Sequence, residues 1–169
     1  MNKKFVGYGL LLAALIVAPF FGAYPIFVMK LLCFALFASA FNLLLGYTGL
    51  LSFGHAAFFG GSAYVAGHVM KVWGFTPELG LLVGTLTGAG LGWVFGVLAI
   101  RRQGIYFAMI TLALAQMVFF VALQASFTGG EDGLQGVPRG KLFGLFSLAD
   151  DLTIYYLVLA VVAAAFALI

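Results

Sequence analysis

Charge is what this sequence has least of. Only 8% of its 169 residues are Asp, Glu, Lys or Arg, against 64% hydrophobic ones, and so apolar a chain cannot surround one water-soluble core with a wettable surface. The solvent implied is lipid. A single cysteine, Cys33, rules out a disulfide framework within the chain. No Asp or Glu lies in the interior of an apolar run, which removes the group through which proton-driven carriers commonly couple. A nucleotide loop is missing too: "GVPRGK" at Gly136–Lys141 spaces its two glycines one residue too close and lacks the hydroxyl residue after lysine. His55 and His68 are thirteen residues apart and Cys33 is on another run, so nothing has metal-ligand spacing. Neither a Ser, His and Asp set nor a paired carboxylate meets a plausible pocket, and Glu131–Asp132 and Asp150–Asp151 read as solvated loop ends. No catalytic, cofactor or metal site is therefore expected, and enzyme chemistry is unsupported. The net charge of +3 comes from a few Lys and Arg at segment ends, which addresses topology and anionic lipid headgroups rather than nucleic acid.

What fills the space is a series of apolar runs. They predict crossings over residues 5–22, 26–46, 52–71, 78–100, 105–124 and 152–169, with a polar loop at 125–151. Each is about twice the length of a membrane strand and does not alternate, so the fold class is all-α: one polytopic integral membrane helix bundle of about six transmembrane helices. The first run follows "MNKK" without an A-x-A-like cleavage site, and is read as an uncleaved crossing. With the N-terminus cytoplasmic, Lys3, Lys4, Arg101 and Arg102 lie inside while Lys30, Lys71, Arg139 and Lys141 lie outside. That tie is broken toward a cytoplasmic N-terminus because the first helix usually dominates, the two arginines occupy a tight turn, and Lys30 is near enough to a helix end to snorkel.

Two glycine patterns stand out. Gly80, Gly84, Gly88, Gly92 and Gly96 recur at steps of four, with Gly90 besides, and predict a helix built for close packing. The stretch "GYTGLLSFGHAAFFGG" (Gly46–Gly61) interrupts two apolar runs with five glycines, two small hydroxyl residues, Thr48 and Ser52, and a histidine. Gly46–Gly49 is read as the turn ending one helix and Ser52 as the N-cap of the next. Beyond it, Gly54, Ala56, Ala57, Gly60, Gly61, Ala63 and Gly67 leave that helix thin enough to pack closely or border a passage. His55 either bonds a neighbouring carbonyl or headgroup, or takes part in gating or in holding the turn; His68 is expected at the membrane interface. Asn42 and Gln116 need partners in hydrocarbon and are expected to tie helices together.

Three stretches in this order and spacing, "FNLLLGYTGLLSFGHAAFFGGSAYVAG" (Phe41–Gly67), "RRQGIYFAMITLALAQMV" (Arg101–Val118) and "TGGEDGLQGVP" (Thr128–Pro138), resemble successive motifs of the permeases of branched-chain amino acid ABC importers. Permeases for urea, short amides and sugars share the "GxxSxGHxAF" theme. The resemblance implies a bacterial inner-membrane subunit that pairs with a second homologous permease and two cytoplasmic ATPases, and receives leucine, isoleucine or valine from a periplasmic substrate-binding protein. It also implies Asn42, Gly46, Ser52, Gly54 and His55 as the shaped part of a passage or gate, and Thr128, Gly129, Gly130, Gly133 and Gly136 as a loop at the periplasmic mouth. Family members are nearly twice as long and carry an ATPase-docking segment beyond the sixth crossing. The chain stops at "VVAAAFALI", so it is expected to be an N-terminal portion that does not couple ATP hydrolysis to transport alone. A sodium-coupled or channel-like protein, with an ion held by broken helix ends and carbonyls at Gly46–Ser52, is the reading from another class.

Overall fold

The computed structural model describes residues 12–22, 24–102, 104–142, 146–148 and 150–168. The expected first crossing at 5–22 lies in part outside these residues, as do Lys3 and Lys4 of the orientation argument. Six helices account for most of the described chain: α1 (Leu12–Phe21), α2 (Pro25–Thr48), α3 (His55–Val72), α4 (Pro77–Ala99), α5 (Ile105–Gln124) and α6 (Asp151–Leu168). The protein is an all-α membrane helix bundle. Its extended structure among the described residues is one two-residue pairing, β1 (Lys141–Leu142) with β2 (Phe146–Ser147).

Local chemistry accounts for two of the helix ends. Pro77 opens α4 at its first turn, where a missing N–H costs nothing, behind Thr76 in an extended conformation. Gly49 closes α2 at φ 67°, its amide donating to Leu45 O at 3.0 Å; only glycine takes that left-handed position without cost. Gly46 is therefore inside α2 rather than in the turn that follows it. Helices α2, α4 and α5 are long and apolar enough to cross a bilayer. α3 has 18 residues but spends three on His55, His68 and Lys71, and α1 and α6 are shorter apolar helices over the described residues.

Hydroxyls inside these helices are satisfied locally. Ser39, Thr85 and Thr87 each donate to the carbonyl four residues back, at 2.9, 2.8 and 2.8 Å. A membrane helix can thus carry them without a partner helix.

The chain divides into two compact units, residues 1–39 with 147–169, and residues 40–146. In the first, Leu32, Tyr155, Leu159 and Val162 form a buried cluster, with Leu15, Val28, Met29, Leu36 and Val158 packed around it. Tyr155 is fully buried, and its hydroxyl donates to Leu15 O at 2.5 Å, a carbonyl inside α1 whose usual donor four residues on is missing because residue 19 is proline.

The second unit is built on an antiparallel hairpin of α3 and α4. A Cβ placed on Gly80 would meet Met70 Cγ at 2.6 Å, on Gly84 Ala66 Cβ at 3.1 Å and on Gly88 Ser62 Cβ at 3.7 Å, so the contact climbs α4 as it descends α3. At Gly92 and Gly96 the same Cβ would meet nothing within 4 Å. Steps of four overshoot a whole turn by about 40° each, so the stripe rotates off the neighbour. Where it does touch, small residues let the backbones approach and van der Waals packing holds the pair. Gly84→Leu is accordingly expected to cost about 1–3 kcal/mol by overpacking, lowering the melting temperature in detergent, whereas Gly92→Leu, whose added carbon enters open space, does not lower it.

Candidate functional site

At the start of α3 the interrupted segment is tied down rather than loose. The helix begins at His55, three residues beyond the expected cap, with Gly54 as N-cap and no side-chain cap bond. Ser52, 3% exposed, turns its hydroxyl oxygen to the amide of Gly54 at 3.2 Å. The amide between them, Phe53 N, donates to Thr111 Oγ1 on α5 at 3.2 Å, and Thr111 in turn donates to Ala108 O at 3.0 Å. A part-buried backbone donor outside any helix thus finds its acceptor 58 residues away, as irregular backbone in a membrane requires. Gly54 lies flat against Phe95 of α4: a Cβ there would be 2.8 Å from Phe95 Cδ2. Phe58 and Phe95 meet edge to face at 4.9 Å. His55 closes the knot, its Nδ1 3.4 Å from Ser52 O and its ring against Phe41 at 5.5 Å and Phe58 at 5.8 Å.

Of the five residues expected at a passage or gate, the structure brings Ser52, Gly54 and His55 together in this knot. Gly46 sits on α2 with no atom within 4 Å of where its Cβ would be. Asn42, also on α2, is exposed. The side-chain amide of neither Asn42 nor Gln116 hydrogen-bonds to a described residue, so the tie between helices expected of these amides is not made within the described chain. The hydroxyl of Thr111 makes one instead.

The open space lies next to the knot. A groove of about 370 Å³ runs between α3 and α5, floored on the α3 side by Ala56, Ala57, Gly60 and Gly61 and on the α5 side by Leu112, Ala115, Gln116 and Ala122, with Phe53, Tyr64 and Phe119 at its edges. A Cβ on Gly60 would meet nothing within 4 Å, while one on Gly61 would strike Leu91 of α4 at 2.9 Å. Adjacent glycines therefore do different work: Gly61 lets α4 in, and Gly60 leaves the groove empty. The thin α3 wall was legible as a run of small residues; the α5 wall was not, because α5 is apolar on every face and only Gln116 marks the side that meets the groove.

A strap covers the far end of α3. The segment 126–137 follows α5 through two short 3₁₀ turns, Ser126–Thr128 and Gly130–Asp132. Thr128, 1% exposed, holds it to α5, its Oγ1 2.5 Å from Ala122 O and 2.6 Å from Ala125 O. Lys71 Nζ holds it to α3, donating to Gln135 O at 2.7 Å. His68 Nδ1 lies 3.0 Å from Phe127 O, and its ring packs on Phe127 and Trp73. His68, expected at the interface, is thus a strap contact. The strap's tight path needs Gly129, whose φ of 85° brings its backbone against the carbonyl of Gly133. Gly130, Gly133 and Gly136 also have positive φ, and Gly133 passes over the Tyr64 hydroxyl.

The groove is therefore pinned at both ends, by the Phe53–Thr111 hydrogen bond and by the strap. Among the described residues no three metal-ligating side chains come together.

Comparison with known proteins bears on this arrangement. The family profile described as branched-chain amino acid transport system / permease component matches residues 23–169. The high-affinity branched-chain amino acid transport system permease protein LivM of Escherichia coli (strain K12) is 30% identical over 105 residues, 62% of this chain and 25% of that protein. The protein of the same name from Salmonella typhimurium (strain LT2) is similar to the same extent. The match thus spans about a quarter of the length of these relatives. No solved structure matches the chain.

Proposed function

The chain belongs to the branched-chain amino acid transport system / permease component family, and on that premise we propose that it forms one wall of the translocation pathway of an ATP-binding-cassette importer for leucine, isoleucine and valine. The observation that carries the reading is the family match across residues 23–169. The pinned groove and the many outward-facing apolar side chains, such as Leu86, Trp93 and Val97 on α4, are the parts such a wall needs. In this proposal the protein resides in a bacterial inner membrane with its N-terminus in the cytoplasm, as crossings near those read from the sequence, and the strap faces the periplasm. Its partners are a second homologous permease, two cytoplasmic ATPases that supply the energy, and a periplasmic binding protein that selects the cargo. The knot at Ser52, Gly54 and His55 acts as the fixed rim of the passage.

Competition tests the cargo. In cells whose only route for leucine is the assembled transporter, excess isoleucine or valine is expected to suppress uptake of labelled leucine, and excess urea, acetamide or ribose to leave it unchanged. Suppression by urea, acetamide or ribose, with none by isoleucine or valine, would assign the subunit to a different cargo.

A further inference from the structure

Resting on the permease reading, we infer that the groove between α3 and α5 is the surface a branched aliphatic side chain touches in transit, with the Gln116 amide and the Tyr64 hydroxyl as the polar contacts for the rest of the molecule. Depth is the first argument. Gln116 is the twelfth of the twenty residues of α5, within about 2 Å of the helix midpoint at 1.5 Å per residue. It is exposed, and its side-chain amide makes no hydrogen bond to a described residue. An amide left against lipid tails at that depth costs several kcal/mol, so whatever fills the groove in the membrane offers polar groups. That argues against an acyl chain.

Size and lining are the second. About 370 Å³ falls at the small end of the range for small-molecule sites, roughly 300–1,000 Å³. Ala56, Gly60 and Ala115 present methyl groups or nothing, and no charged side chain lines the groove. Such a surface welcomes a short aliphatic group and has nothing with which to trap a zwitterion. Weak holding is what a route needs, since a tight site would slow release. The third argument is the pair of ties. They stop the groove at the Phe53–Thr111 hydrogen bond and at the Thr128 anchor on Ala122, giving it a fixed length, whereas a partner's helix laid along it would have to run past both ends.

Gly60→Leu is the incisive variant because its Cβ enters empty space. Leucine favours an interior helix position over glycine, so the fold is kept while the groove is filled. The assembled transporter is exposed to a photoreactive diazirine analogue of leucine and the labelled peptides are mapped. The expected result is labelling within residues 56–64 or 112–122, competed by leucine. In Gly60→Leu, labelling there and the leucine uptake rate each fall at least tenfold, with the partners still co-purifying. Labelling elsewhere only, or normal uptake by an assembled Gly60→Leu complex, overturns the inference and leaves the permease reading standing. Two further probes do the same: a diazirine-bearing phospholipid that labels these residues in the working transporter, or an Ala115→Cys side chain, in a Cys33→Ser background, that photocrosslinks to the second permease through an attached benzophenone maleimide. The wild-type labelling pattern decides the matter even if the variant fails to assemble. Absence of any ATP-dependent leucine uptake by the wild type would instead sink the permease reading itself.

Discussion

Gly129→Val is expected to release the strap from α3 and α5. Two costs add there. The left-handed backbone at φ 85° is about 1–2 kcal/mol uphill for an L-residue and worse for a β-branched one. The new Cβ would also collide with the Gly133 carbonyl, lying 2.8 Å from its carbon and 3.4 Å from Leu134 N, and backbone cannot step aside as a flexible side chain can. Together they exceed about 3 kcal/mol. The strap is held to α3 and α5 by a few contacts, chiefly Thr128 and Lys71 with the His68 packing, so its local release comes before global unfolding. Hydrogen exchange is expected to quicken at Thr128, Gly129 and Gly133, whose amides donate within the two turns, and to stay slow through the middle of α3 and α4. Gly136→Val provides the contrast. Its φ is also positive, at 67°, but nothing lies within 4 Å of the added carbon, so it bears the backbone cost alone and the strap stays down. Equal exchange in the two variants would contradict the collision at Gly133.

The second large effect is at the knot. Gly54→Leu forces a side chain into Phe95, 2.8 Å from the first added carbon, with Phe58 Cζ at 3.1 Å. Phe95 is only 4% exposed, so its ring has nowhere to swing, and overpacking costs at the upper end of about 1–3 kcal/mol. Phe95→Ala alone empties the same space and costs about 3–5 kcal/mol. Combined, the two changes are expected to relieve each other: the double variant should be less destabilised than the sum of the singles by about 0.5–3 kcal/mol. Melting of the four detergent-solubilised proteins measures this. Strict additivity would mean that Gly54 and Phe95 do not touch.

Both sites show what a sequence of this kind reveals and what it hides. Helix existence was plain, since lipid demands long apolar runs and leaves few other ways to satisfy the backbone. The end of α2 at Gly49 was readable to within a few residues, because glycine acts there through its own φ angle. Ser52 was recognised as a hydroxyl serving an amide near the head of α3, yet the helix starts three residues later. In the loop that remains, Phe53 N is taken by Thr111 of α5. No local signal near Ser52 points to α5. The glycine stripe of α4 announced close packing, but only the rotation of one helix about another decides that Gly80, Gly84 and Gly88 face α3 and that Gly92 and Gly96 do not. Lys71 looked like a charge for the topology count, and its ammonium proves to bond Gln135 O. Likewise the segment after α5 read as a polar loop, and its clasp on α3 follows from His68, Lys71 and Thr128 meeting carbonyls that every residue possesses.

The proposed account is of a lipid-embedded wall with a pinned groove, whose transport is driven by other subunits. Its most direct test is labelled leucine uptake into proteoliposomes containing the assembled transporter, with ATP at the ATPase face and an imposed sodium gradient varied independently. The account predicts uptake that requires ATP, the ATPases and the binding protein, and that ignores sodium. Uptake driven by the sodium gradient with no ATP present would contradict it.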